Sequence, residues 1–199
     1  KFENVSFKYN EKSNYIIHNL NLDFKPEKIN VLMGKSGSGK STIMKLILKM
    51  YEPTNGIIHY DMRTNKNVCI DDIRKNIYYV NQRTTLFDES VIYNFQYGNN
   101  NSKEDIIELL ENYDLLSYYD TLENNIESKS GVNGSNLSLG MQKIIMVVRG
   151  VLKKDKNILI FDEPLTSLDK VTREKIVKLI IKETKGKTII IISHDPEIL

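Results

Sequence analysis

The chain has 199 residues, of which 40% are hydrophobic and 27% charged, enough for one domain with a buried core. Its 28 Lys and Arg residues nearly balance its 26 Asp and Glu residues, and the net charge of +2 argues against a dedicated nucleic-acid or anionic-membrane binder. The single cysteine, Cys69, excludes an internal disulfide framework and fits a reducing compartment, and no apolar stretch approaches the roughly 18 residues that span a bilayer.

The first third of the chain alternates short strand-like and turn-like segments. Alternating apolar and polar positions predict an antiparallel sheet with strands at residues 5–9, 15–18 and 20–24. The apolar run Ile29–Met33 predicts a buried parallel strand beside that sheet. The apolar residues of 43–48 predict a helix, and 57–60 a further strand.

The rest of the chain predicts helices and parallel strands. The spacing of apolar residues is helical over 105–119 and 139–152, on either side of a polar linker at 124–136. Further predicted elements are strands at Ile77–Val80, 157–161 and 188–192 and a helix at 171–182. The order predicts an α/β fold with a parallel or mixed core sheet, an N-terminal antiparallel β subdomain and a helical insertion at about 83–150.

The segment 34–42 fits the phosphate-loop pattern G-x-x-x-x-G-K-[ST], between a strand and a helix as that pattern requires. Glycines let the backbone N–H groups point inward, and the helix start adds its positive dipole end. Lys40 is expected to reach the β- and γ-phosphates, and the Ser41 hydroxyl to bind Mg²⁺. A Gly/Ser-rich turn without a ligand is the alternative, which the strand and helix disfavour. The predicted phosphate-binding residues are Gly34, Lys35, Ser36, Gly37, Ser38, Gly39, Lys40, Ser41 and Thr42.

Two adjacent acids follow the apolar strand near residue 160. Ligands of open α/β sheets bind at the carboxyl ends of the strands, where Asp162 and Glu163 are expected to lie. Asp162 is expected to hold Mg²⁺, directly or through water, and Glu163 to polarise an attacking water. Two solvated acids at a strand end are the alternative. His194, just past the last strand, is placed to contact the γ-phosphate, whereas His18 and His59 have no neighbouring site residues and are read as structural or exposed.

Further positions, in their order and spacing, carry a family resemblance: Tyr9, Gln82, the segment 86–94, the segment 167–169 and His194. With the phosphate loop and the acids, they resemble the nucleotide-binding domain of ATP-binding cassette (ABC) proteins of the exporter type, over essentially the whole chain. The resemblance implies that Tyr9 stacks on adenine. It implies that Gln82 is a catalytic residue and Mg²⁺ ligand that couples the site to transmembrane helices. It also implies that 167–169 is the D-loop, whose Asp is in addition a good helix N-cap, and that His194 is the switch histidine.

The segment 137–141, called the signature segment below, departs from the family. Family members read Leu-Ser-Gly-Gly-Gln, and this chain reads Leu-Ser-Leu-Gly-Met. Ser138 and Gly140 survive as expected contacts to the nucleotide of an opposing domain. Leu139 adds a side chain where glycine allows close approach, and Met141 removes an amide. Residues 142–144 lack the usual arginine, and Val132 stands where exporters commonly carry an acid. The resemblance therefore predicts normal ATP binding and an impaired signature segment.

By this resemblance the chain is one ABC ATPase domain, with an α/β core and β subdomain at 1–82 and 151–199 and a helical subdomain at about 83–150. It is expected to bind ATP and Mg²⁺, to dimerise with a second ABC ATPase domain, identical or different, and to hydrolyse ATP for export. The other implied partners are transmembrane domains of the same or another chain, and no nucleic acid. Because the chain opens at Lys1 without an initiator Met, we expect it to come from a longer protein.

The implied location is at a membrane, through segments outside this chain, with the domain on the cytoplasmic, matrix or stromal side. Two alternatives remain for the function. One is a regulatory nucleotide sensor with weak turnover, suggested by Leu139 and Met141 but opposed by Glu163 and His194. The other is an ABC ATPase unlinked to transport, of the DNA-repair or chromosome-maintenance type, which the lack of a long coiled-coil insertion disfavours.

Overall fold

The structure is a computed structural model, and it describes residues 1–35, 37–81 and 85–195. Its strands are β1 (Phe2–Phe7), β2 (Ile17–Leu22), β3 (Ile29–Met33), β4 (Asn55–Tyr60), β5 (Arg63–Thr64), β6 (Ile77–Val80), β7 (Ile158–Asp162) and β8 (Thr188–Ser193). Its α-helices are α1 (Lys40–Ile47), α2 (Ile70–Asn76), α3 (Val91–Gln96), α4 (Lys103–Asn112), α5 (Leu139–Val151) and α6 (Lys170–Glu183). Short 3₁₀ turns lie at Leu116–Tyr119, Asn125–Glu127 and Val132–Gly134.

A parallel sheet, in the order β3-β8-β7-β6, carries the predicted phosphate loop and acids. Its strands are mostly apolar, as in a sheet that is covered on both faces. Leu159 and Phe161 contribute to a core shared with α5 and α6, and Ile160 between them contributes to a core shared with α1. The α/β class and the parallel core are therefore confirmed.

The antiparallel sheet, in the order β2-β1-β4-β5, is separate from the parallel sheet. It shares with α1 the core that reaches the parallel sheet. The two strands predicted at 15–18 and 20–24 were wrong, because they form the single strand β2. Asn19, between them, has a φ of 49°, and the pairing of β1 with β2 shifts register in this region. An irregularity of this kind interrupts the period-2 pattern without ending a strand.

The helix predicted at 105–119 is shorter and begins earlier. At its start, Ser102 and Asp105 form a reciprocal capping box, with N···O distances of 3.0 and 2.9 Å. It ends at Asn112, and Asp114 just beyond has a φ of 50°, the left-handed conformation that closes many helices. The apolar residues beyond that point belong to the 3₁₀ turn Leu116–Tyr119. Neither α2 nor α3 was predicted, since helices of seven and six residues leave little periodicity to detect.

Helix α5 connects the signature segment to the sheet. It is apolar on most of its surface and lies buried between the other helices and the parallel sheet, and its bounds agree with the helix predicted at 139–152. At Gly150 the helix comes so close that an added Cβ would lie 2.7 Å from Val80 Cγ2 and 2.8 Å from Phe161 Cε1. The absence of a side chain there sets the depth at which α5 packs on β6 and β7.

We expect Gly150→Ala to lower the free energy of unfolding by about 1–2 kcal/mol. Overpacking a core commonly costs about 1–3 kcal/mol, and the better helix propensity of alanine returns at most about 1 kcal/mol. Gly140→Ala in the same helix is the control, because its Cβ would approach other atoms only to 3.6 Å. Urea unfolding midpoints measure both variants, and a Gly150→Ala midpoint equal to that of Gly140→Ala would contradict the prediction.

Candidate functional site

The phosphate loop, residues 34–42, joins β3 to α1. Gly37 and Gly39 have φ values of 79° and 91°, in the left-handed region that glycine adopts without steric cost. A Cβ on Gly34 would lie 2.7 Å from Ser38 Oγ. The Ser38 N–H donates to the Lys35 carbonyl at 3.2 Å, which closes the turn. Ser36, predicted to contact phosphate, lies outside the described residues.

Lys40 is the first residue of α1. Its Nζ donates to the carbonyl oxygen of Gly34 and, at 2.9 Å, to that of Lys35. The ammonium is therefore held over the loop by neutral acceptors. A phosphate oxygen carries a negative charge that a carbonyl oxygen lacks, so it would compete well for this ammonium.

The two acids occupy the carboxyl end of β7, and both are buried, with 8% and 7% of Asp162 and Glu163 exposed. Glu163 has a φ of 52°, a conformation that costs energy for a residue with a side chain. Its backbone is fixed on both sides, because its N–H donates to the Ile192 carbonyl at 3.0 Å and its carbonyl accepts from Thr166 Oγ1 at 2.9 Å. The turn at Glu163 is therefore held by one bond to β8 and one bond to the residues that follow it.

Asp162 has a hydrogen-bond donor that sequence reasoning missed. The Tyr79 hydroxyl, from β6, donates to Asp162 Oδ2 at 2.7 Å. Burial, and then this bond to a carboxylate, raise the pKa of Tyr79 well above its usual value. The Tyr79 hydroxyl therefore remains a donor throughout the neutral pH range. Its bond is to Oδ2 and does not involve Oδ1 of Asp162.

His194 comes directly after β8, and its Nδ1 lies 2.6 Å from Glu163 Oε1. An ionised carboxylate can only accept, so Nδ1 is the donor of this bond. The imidazole is largely exposed while its partner is buried. The pair joins the carboxyl ends of β7 and β8.

These predicted residues meet at one pocket of about 580 Å³. Its predicted members are Gly37, Gly39, Lys40, Ser41, Thr42, Asp162, Glu163 and His194, and Ile16 and Ile192 complete the lining. A second cleft of about 430 Å³ adjoins it through Glu163 and His194 and includes Ser167 and Arg173. Gln82, predicted as a catalytic residue and Mg²⁺ ligand, lies outside the described residues.

Tyr9 adjoins the pocket through Thr42 rather than lining it. Its hydroxyl lies 3.2 Å from Thr42 Oγ1 and 3.2 Å from Lys45 Nζ. These contacts, the one to Thr42 first, lower the pKa of Tyr9. The ring packs edge-on against Phe7 and Tyr51, with centroids 5.0 and 5.2 Å away, and remains partly exposed.

The signature segment is not brought to this pocket. Ser138 caps α5, its Oγ accepting from the Met141 N–H at 3.2 Å, and Gly140 lies against Leu168 and Ser167. Leu139 is 66% exposed, whereas Met141 packs partly buried against the core. The structure therefore leaves the signature segment outside the lining of the pocket at which the other predicted residues meet.

A buried cation near the acids was also missed by sequence reasoning. Lys143 lies on α5, two turns before Gly150 and on the same face. Burial lowers the pKa of the Lys143 ammonium, and the charges of Asp162 and Glu163 oppose that effect. The helical period offered a signal, since it places this lysine on the buried face of α5.

His18 and His59 do not line the pocket, and His59 Nε2 lies 3.0 Å from Glu3 Oε2.

Comparison with known proteins identifies the family. A family model described as ABC transporter matches residues 17–166. This chain belongs to the ABC transporter family. It is an ATP-binding cassette of that family, whose cassettes are ATPases.

The relatives of this cassette include membrane exporters. It is 32% identical to an ATP-dependent lipid A-core flippase of Nitrosococcus oceani, over 98% of this chain and 33% of that protein. It is 34% identical to ABC transporter B family member 14 of Arabidopsis thaliana, over 98% of this chain and 16% of that protein. The structure of a bacterial Atm1-family ABC exporter with ATP bound matches with a TM-score of 0.87 and 27% identity, over 99% of this chain and 35% of that one.

The cassette thus spans about a third or less of the length of these relatives. None of the helices formed by residues 1–35, 37–81 and 85–195 combines the length and apolar character that a bilayer crossing needs. The resemblance inferred from the sequence, to an exporter-type ABC cassette, is confirmed.

We expect Tyr79→Phe to lower the free energy of unfolding by about 1–3 kcal/mol at pH 7, because a buried carboxylate loses a donor. Tyr78→Phe on the same strand is the control. It keeps the ring that Lys153 Nζ approaches to 5.0 Å, and we expect a change below about 0.5 kcal/mol. Urea unfolding of the nucleotide-free protein measures both, and equal losses would show that the bond to Asp162 is not the cause.

Proposed function

We propose that this cassette binds MgATP, closes face to face with a second cassette and hydrolyses ATP to power export through attached transmembrane domains. The observation that carries the proposal is the convergence of Lys40, Asp162, Glu163 and His194 on one pocket. The exporter names of the relatives support the coupling to transport. We place the α/β core and β subdomain at 1–82 and 151–199, the helical subdomain at about 83–150, and the domain on the cytoplasmic, matrix or stromal side of its membrane.

In this proposal the phosphates lie over the phosphate loop. The Lys40 ammonium exchanges the carbonyls of Gly34 and Lys35 for phosphate oxygens, and the N-terminus of α1 adds its positive dipole end. The partly exposed ring of Tyr9 stacks on adenine, a contact worth about 1–3 kcal/mol for bases in general. Ser36 and the other loop residues would complete the cradle with main-chain N–H groups.

The residues present fit a Mg²⁺ ion. Ser41 and Asp162 both line the pocket and offer hydroxyl and carboxylate oxygen. Mg²⁺ binds through few protein oxygens and completes its shell with water and substrate phosphates, so two such residues suffice. We propose Ser41, Asp162 and Gln82 as its ligands; the ion would neutralise charge on the phosphates. Tyr79 binds Oδ2 of Asp162, which leaves Oδ1 to be offered to the ion.

Glu163 is the proposed general base. Its carboxylate is buried, its backbone is fixed, and one oxygen is bound to His194, so the other is available to orient a water. Nε2 of His194 would donate to a γ-phosphate oxygen when it also carries a proton, because phosphate oxygens accept. Gln82, the third proposed catalytic residue, would reach the same water.

A second cassette, identical or different, would complete each site. Ser138 and Gly140 lie on a surface away from the chain's own pocket, so they would meet ATP held by an opposing cassette. The start of α5 would offer its dipole to the γ-phosphate. Leu139 stands exposed at that helix start, where its side chain would hold the surfaces apart.

The same exposed Leu139 favours a second candidate function. A cassette that binds ATP and dimerises with weak turnover would act as a nucleotide sensor. The two candidates share the phosphate loop and differ in turnover, which the variants below measure.

We expect Glu163→Gln to retain ATP binding and to lower kcat by about 10²–10⁴-fold, because it removes a general base and leaves the phosphate contacts intact. Lys40→Ala is the opposite case, with ATP binding lost. Calorimetric titration with MgATP and steady-state ATPase assays of the full-length protein measure both. Loss of binding in a folded Glu163→Gln protein would overturn the proposed role of Glu163, and undiminished binding in Lys40→Ala would overturn the phosphate site.

We expect Leu139→Gly combined with Met141→Gln to raise the ATPase rate of a homodimer several-fold without changing ATP affinity in the monomer. The substitution opens the helix start to the γ-phosphate of the opposing site, where charge develops. Met141→Gln alone is the control, since Met141 packs partly buried against the core, and we expect it to change the rate little. A rate unchanged or lowered by the double substitution would mean that Leu139 is accommodated.

A further inference from the structure

Arg173, in the first turn of α6, bonds to two separate segments beside the site. Its Nε donates to the Leu168 carbonyl at 3.1 Å, and its Nη1 donates to Asp195 Oδ2 at 2.6 Å. Leu168 belongs to the 167–169 loop, and Asp195 follows His194 directly. One guanidinium therefore links that loop to the segment that carries the histidine.

Both ends of this link are fixed by further bonds. On the loop side, Asp169 caps α6 by accepting from the Thr172 N–H at 3.0 Å and from its hydroxyl at 2.5 Å. On the histidine side, the Asp195 N–H donates to Ser193 Oγ at 3.0 Å. The guanidinium is a rigid planar fork, so the link resists shear better than a lysine would.

The link also lies beside the reacting groups. Arg173 lines the 430 Å³ cleft together with Ser167, Glu163, His194 and Asp195. About a third of the side chains of Arg173 and Asp195 is exposed, 35% and 29%, so water screens this pair only partly. Ser167 has a φ of 65°, which marks the loop as held in a costly conformation by its surroundings.

We propose that Arg173 is a positioning residue that sets His194 relative to the 167–169 loop. The inference rests on the proposed function, in which His194 meets the γ-phosphate. Asp195 directly follows His194, so the bond from Arg173 restrains the backbone next to the residue that carries the imidazole. A misplacement of about 1 Å can cost about 100-fold in rate, so a link that removes such freedom is detectable in kcat.

The test compares ATP turnover of the full-length protein with and without His194. We expect Arg173→Met to lower kcat about tenfold and to leave KM for ATP within about twofold, because the phosphate contacts are untouched. In the His194→Ala background, single-turnover assays with radiolabelled ATP are expected to show no further loss from Arg173→Met. Arg63→Met, which breaks the ion pair between Arg63 of β5 and Asp72 of α2, is the matched control and is expected to keep the parent kcat.

Each result of this test either supports or overturns the inference. A parent-like kcat in Arg173→Met, or an equal loss with and without His194, overturns the inference, the second by showing a general structural role. Full turnover in His194→Ala overturns the proposed role of the histidine and the inference with it. If Arg173→Met does not fold, Arg173→Lys replaces it, because lysine keeps the charge without the planar fork. We expect Arg173→Lys to lower kcat less than tenfold and only when His194 is present.

Discussion

The hydrogen-bonded register of three parallel strands fixes the distances on which the site depends. Met33 of β3 pairs with Ser193 of β8, and Asp162 of β7 pairs with Ile192 of the same strand. Parallel strands release the residues that follow them at one edge of the sheet, and here those residues are the phosphate loop, Glu163 and His194. A shift of one residue in this register would turn alternate side chains to the other face. The apolar side chains that fill both cores therefore also hold the chemistry in place.

The buried carboxylates at this edge of the sheet have partners within the chain itself. Asp162 and Glu163 are adjacent and buried, which is costly unless each carboxylate has partners. Tyr79 and His194 supply direct bonds, and Lys143 supplies a positive charge from α5. The strained backbone of Glu163 belongs to the same arrangement, because its two backbone bonds hold the carboxylate in one direction.

The signature segment does not line the pocket, and it is fixed by bonds within its own chain. The Ser138 hydroxyl accepts from the Met141 N–H and so caps α5, and the Met141 carbonyl accepts from the Tyr119 hydroxyl at 2.9 Å. Both residues are therefore fixed by bonds within their own chain. Leu139 extends into solvent at that helix start. The signature segment departs from the family at Leu139 and Met141. In the structure Leu139 is exposed and Met141 packs partly buried against the core, so the departure chiefly affects one exposed side chain.

The sequence by itself determined the local parts of this protein. Gly37 and Gly39 permit the left-handed turns of the phosphate loop, and the apolar run before the acids predicts β7, since both depend on neighbours in the chain. Only the tertiary structure decided which distant residues meet. Tyr79 and Asp162 are 83 positions apart, and Arg173 and Asp195 are 22 apart, so no local pattern records either bond. The physical reason is that such pairs are set by strand order and by the packing of α6, both of which depend on apolar burial across the whole chain.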